Sequence, residues 1–78
     1  MLALDAAERR ELETIVDAIE AAEARVSEAE RLLADPTLYS KRGHEVSGLQ
    51  ARLEEARVAA AALVARWEAL EAKKATGP

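Results

Sequence analysis

The chain has 78 residues, half of them hydrophobic, and a formal net charge of −4. Nineteen of its 39 apolar residues are alanine and there is no Phe, one Trp and one Tyr, which excludes a compact core of bulky side chains in a chain already short of surface to bury. The lack of cysteine excludes disulfide frameworks and thiolate metal sites, and the acidic balance gives no overall attraction to nucleic acid or anionic lipid.

Ala, Glu, Lys, Leu and Arg supply 52 of the 78 residues, the composition of long helices and coiled coils. The uncharged run Val58–Ala65 is only eight residues long, against about 20 for a membrane span. No basic segment precedes an apolar one at the start, so no secretory signal is expected and the default location is cytoplasmic.

The first element is a helix over about 5–34. No Gly or Pro interrupts the chain before Pro36, and Pro36 disfavours helical geometry at Asp35. A narrow apolar seam runs along this helix through Leu12, Ile19, Val26 and Leu33, with Ile15, Ala22 and Ala29 three residues after the first three. A connection over about 35–43 follows, in which Asp35 is placed to cap a short new turn with Pro36 in its first position. Leu38 and Tyr39 have two readings there, a cap on the open end of the seam or an exposed contact. The cap is favoured because burial of an apolar side chain is worth about 1.5–3 kcal/mol.

The second long helix is expected over about 44–74. Its start is open: Gly43 can precede it, and Ser47 with Gln50 has capping-box spacing. Its seam alternates Val46, Leu53, Ala60 and Trp67 with Leu49, Ala56, Leu63 and Leu70. Both seams have the heptad spacing of coiled coils, and isolated helices of this kind need a partner. The expected fold is therefore all-α, a two-helix antiparallel coiled-coil hairpin over 5–74, with a disordered extension over 1–4 and a disordered tail over 75–78.

One register makes the residue numbers in each layer sum to 82, pairing Ile15 with Trp67, Leu12 with Leu70, Ile19 with Leu63 and Ala22 with Ala60. It sets large residues opposite small ones elsewhere, as interdigitation requires, and brings the backbones closest at Ala22. On the flanks it sets Arg9 beside Glu71, Val16 beside Val64, Glu23 beside Arg57, Glu11 beside Lys73 and Leu32 beside Arg52, so that no like charges meet.

Catalysis is not expected. No Gly-rich loop ends in Gly-Lys-Ser/Thr, and exposed carboxylates lack the raised pKa that acid catalysis needs. His44, the one histidine, has no cysteine or second histidine with which to hold a metal. Trp67 lies on the seam and reads as core rather than as a base-stacking platform. Residues 1–34 carry a charge of −5, 35–43 carry +1 and 44–78 are neutral. The best basic patch is the tip, Lys41 and Arg42 with Arg31 and Arg52 near it; Arg66, Lys73 and Lys74 form a second patch at the far end. Contacts to a few phosphates would be weak, salt-dependent and blind to sequence.

Arg10-Glu11-Leu12-Glu13, the connection Ala34-Asp35-Pro36-Thr37-Leu38-Tyr39 and the closing Arg66-Trp67-Glu68-Ala69-Leu70-Glu71 together resemble the C-terminal coiled-coil domain of Uup-like ABC-F ATPases. The resemblance covers about residues 7–73. It implies a non-catalytic accessory domain of a protein with two ATP-binding cassettes, where ATP and Mg would be the cofactors of the parent and none would belong to this domain. It further implies association with ribosomes and translation, and binding to DNA or ribosomal RNA. The ATPase core in cis is then a partner, and no membrane is. The alternative expectation is a protein-interaction module that self-associates as a homodimer, with Leu2, Leu4, Leu32 and Val64 supplying extra apolar contact.

Overall fold

The computed structural model describes residues 4–76. These form α1 (Ala6–Leu33), α2 (Pro36–Lys41), a 3-10 turn (Gly43–Glu45) and α3 (Val46–Ala75), and no strand occurs among the described residues. The molecule is a rod with extents of 59 × 16 × 15 Å.

Alanine, glutamate and leucine favour helix, and the ends of α1 are set by side chains. Asp5 accepts from the Glu8 amide at 2.8 Å while Glu8 accepts from the Asp5 amide at 3.1 Å, a reciprocal capping box. At the other end the Ala34 amide still bonds back to Glu30 before the chain leaves the helix. The two long helices pack against one another. Cross-helix ion pairs join Glu8 to Lys73, Glu11 to Arg66 and Glu30 to Arg57. Numbers rise along α1 as they fall along α3, so the two helices run in opposite directions.

All the seam residues are buried or half-buried. Ile15, Ala22 and Ala29 of α1 and Leu49, Ala56 and Leu70 of α3 are buried, and Ala22 is fully so. Around Ile15 and Leu70 pack Leu12, Ile19, Leu63 and Trp67. This is the set that layers summing to 82 bring together.

The structure departs from the sequence reading at several points. The helical elements number more than two, because the connection itself folds into α2 and a 3-10 turn. The capping box at Ser47 and Gln50 does not form. Instead α3 continues straight from the 3-10 turn, and Glu45 at its N-cap makes no side-chain capping bond. Leu4, assigned to a disordered extension and to an outward apolar contact, is 6% exposed in the cluster with Ile15 and Leu70. It covers the open end of the seam and so escapes water; residues 1–3 lie outside the described residues. The flank partners also differ. Arg66 takes Glu11, Lys73 takes Glu8 and Arg57 takes Glu30. A flanking side chain in an antiparallel pair has carboxylates within reach on both sides of its own level, and the long Arg and Lys stems choose between them. At the C-terminal side α3 reaches Ala75, with Thr76 as its C-cap, one residue beyond the expected end at 74; residues 77–78 lie outside the described residues.

Candidate functional site

The tip is built by Asp35. Its carboxylate accepts from the Thr37 amide at 2.9 Å and the Thr37 hydroxyl at 2.8 Å, so α2 starts at Pro36, whose fixed φ suits a first helical turn. Those hydrogen bonds hold the Asp35 carboxyl below its ordinary value, with a smaller contribution from the positive charges of Arg42 and Arg31. Leu38 turns inward and is wholly buried, closing the end of the seam. Of the two residues the sequence left open, Leu38 closes the seam and Tyr39 does not. The Tyr39 ring is half in solvent, while its hydroxyl donates to the Leu33 carbonyl at 2.7 Å and so satisfies a free carbonyl at the end of α1.

The basic residues of the tip differ in how they are held. Arg31 forks onto Glu28 at 2.6 and 2.9 Å, which lowers the Glu28 carboxyl and raises the Arg31 guanidinium. Arg42 lies 3.9 Å from Glu45, a loose pair beyond hydrogen-bond distance. The charges of Arg31 and Arg42 both act on the Asp35 carboxylate, though neither pairs with it. Lys41 ends α2, and Arg52 lies further along α3 beside a groove. Neither makes an ion pair among the described residues. His44 is exposed, 3.8 Å from Glu45.

The far end is the opposite case. Arg66 donates twice to Glu11 at 2.8 Å, and Lys73 donates to both Glu8 oxygens at 2.9 Å. Lys73 and the Asp5 amide pull the Glu8 carboxyl below 4.5, and Arg66 does the same to Glu11. Of the three basic residues expected there, Lys74 alone is without an ion pair among the described residues. Sequence reasoning placed Glu11 beside a cation but missed two other carboxylates as competitors for phosphate: Glu28 at the tip and Glu8 at the far end. The three-residue spacing of Glu28 and Arg31 was the signal for the first.

No group of three or more His, Cys, Asp or Glu among the described residues is placed to hold a metal ion. No helix among them is long and apolar enough to cross a membrane. No buried side-chain polar atom lacks a partner among the described residues.

The family model described as ABC transporter C-terminal domain matches residues 3–72, nearly the whole chain. This chain belongs to the ABC transporter C-terminal domain family. The match spans both long helices and the tip between them, the same residues that carry the seam and the Asp35-Pro36 connection. As an ABC transporter C-terminal domain it is an accessory domain of an ABC protein, and the ATP-binding core is a different part of that protein. Searches of curated proteins and of solved structures give no significant match.

Proposed function

We propose that this domain is a stiff antiparallel coiled-coil hairpin, a single unit over about 5–74, attached to an ABC-F ATPase of the Uup-like branch. Its tip makes weak, sequence-independent contact with DNA or ribosomal RNA in the cytoplasm. The arm performs no chemistry. It holds Lys41, Arg42, Arg31 and Arg52 at a distance from the ATPase core, where nucleotide-driven movement of the parent swings them against a polyanion.

The observation that supports this reading is the contrast between the two ends. At the tip, Lys41 and Arg52 make no ion pair and Arg42 is only loosely held, whereas Arg66 and Lys73 are each engaged through two short bonds. A phosphate meets less competition at the tip. No side chain is arranged to read base edges, so affinity would come from phosphate contacts and fall steeply with salt.

Fluorescence polarisation with labelled double-stranded DNA and a ribosomal RNA fragment, at low and physiological salt, tests it. Lys41→Ala with Arg42→Ala should weaken binding at least several-fold and flatten its salt dependence by about two counterions. Lys73→Ala should change little. Absent binding to both polymers at low salt, or equal loss from the tip and far-end variants, removes the tip from this role.

A further inference from the structure

On one side of the rod, between the level of Ala22 and the tip, α1 and α3 flank a groove of about 590 Å³. Its floor is Ala29, Leu32, Leu49, Ala56 and Ala59. Its rim carries four charges, Arg25 and Glu28 from α1 and Arg52 and Glu55 from α3. These come from a short internal repeat: Ala24-Arg25-Val26-Ser27-Glu28-Ala29 recurs 27 residues later as Ala51-Arg52-Leu53-Glu54-Glu55-Ala56.

Because the helices run in opposite directions, a two-fold rotation through the groove carries one copy of the repeat approximately onto the other. Arg25 lies a turn farther from the tip than Glu28, while Arg52 lies a turn nearer the tip than Glu55. The arginines thus occupy one diagonal of the rim and the glutamates the other. Such an arrangement is complementary to itself. If a second copy is turned over and laid face to face, every arginine comes over a glutamate, whether the two tips point the same way or opposite ways. Two identical all-basic or all-acidic rims would repel.

We propose that this groove is a self-association surface, and that its occupant is the same groove of a second copy of this chain, in a two-fold four-helix dimer. The apolar floor supplies the attraction and the four rim charges set the register. Arg25, Arg52 and Glu55 make no ion pair within the chain among the described residues, and so are available to a partner; Glu28 is already shared with Arg31. A long face of a 59 × 16 Å rod is of the size of the roughly 800 Å² per partner that standard interfaces bury. The two-fold, self-complementary patch is the form that closed dimers require. The neighbouring surface continues the apolar character, since Val58 stands 59% exposed just outside the groove. The proposal does not depend on the nucleic-acid reading, and its test contains no nucleic acid.

Sedimentation equilibrium of the 78-residue chain from micromolar to millimolar concentration should show the mass rising from 8.4 kDa toward twice that value. Two variants separate the groove from any other contact. Arg25→Glu with Arg52→Glu makes the rim all acidic, and Glu28→Arg with Glu55→Arg makes it all basic. Each should self-associate at least tenfold more weakly than the natural chain, and an equimolar mixture should recover a mixed dimer. All four positions are exposed, and helical circular dichroism of each variant reports its fold directly. A natural chain that stays monomeric over the whole range overturns the proposal and leaves the groove to a different partner. Variants that dimerise alone as well as the natural chain does, or a mixture that fails to recover association, overturn it equally.

Discussion

Glu11 and Arg66 show what single residues contribute here and how far they could be read in advance. Two parallel 2.8 Å bonds join them, so Glu11 titrates below its ordinary 4.5 and Arg66 above its own ordinary value. A carboxyl whose folded pKa is depressed stabilises the fold above its unfolded pKa, and that contribution disappears as pH falls through the lowered value. Glu11→Gln should therefore lower the melting temperature at pH 7, and the difference from the natural chain should vanish well below pH 4.5; thermal melts followed by circular dichroism at both pH values check it. The pair is solvent-exposed, so the effect is small and screened by salt. That Glu11 would face a cation was legible from the seam register. Which cation was not, because Arg66 and Lys73 both lie along its flank. The planar two-pronged guanidinium matches a carboxylate better than a single ammonium does, and with Glu11 taken, Lys73 finds Glu8. The caps divide in the same way. Asp35 with Pro36 announces α2 in the sequence, whereas Ser47 offers a cap that the 3-10 turn before Val46 makes unnecessary.

At the scale of elements, α2 is the joint that decides whether the two long helices end in an ordered tip. It is only six residues long, too short to persist by itself. Leu38, wholly buried beneath it, is the anchor. Leu38→Ala should cost about 2–5 kcal/mol, the range for removing a buried leucine. Urea unfolding monitored by circular dichroism measures the loss, and hydrogen exchange should rise first in Pro36–Glu45 while the amides near Ile15 stay protected. At the start of α3 the opposite opportunity exists. Gly48 is helical, and a methyl group added there meets nothing within 4 Å. Gly48→Ala should stabilise the domain by about 0.5–1 kcal/mol, read as a higher urea midpoint at unchanged slope. Helix identity and approximate bounds were legible because Gly and Pro are confined to the tip, the first turn of α3 and the end of the chain. The start of α3 was not, since glycine at 43 and 48 and a serine at 47 left several equivalent beginnings.

The described residues form a rod in which α1 and α3 meet along one narrow alanine-lined seam, and that seam explains what the chain tolerates. Alanines at 22, 29 and 56 are buried where a compact protein would place leucine. They contribute little apolar area each, but they let the two backbones come close enough for dispersion contacts along the length of the rod. The pattern was readable from the heptad alternation, and so was the level at which Ile15 shares a cluster with Trp67. Leu4 was not readable, because a leucine outside the periodic run has no level assigned by the repeat. Its burial follows only once the far end exists as a surface to cover. The groove was equally hidden, since its repeat gains meaning only when the helices are set side by side in opposite directions. Ala22 is the strictest position in this arrangement, with no exposed surface at all. Ala22→Leu adds three carbons at a position with no exposed surface on the face packed against α3. The helices must either part, losing contacts at Ile19 and Val26, or shift in register and break the Glu11–Arg66 and Glu30–Arg57 pairs together. Overpacking of this kind costs about 1–3 kcal/mol. The same change at Ala18, exposed on α1, should leave stability within about 0.5 kcal/mol. Urea unfolding of the two variants side by side distinguishes them, and equal destabilisation would mean that α1 is not held against α3 by the face that Ala22 occupies.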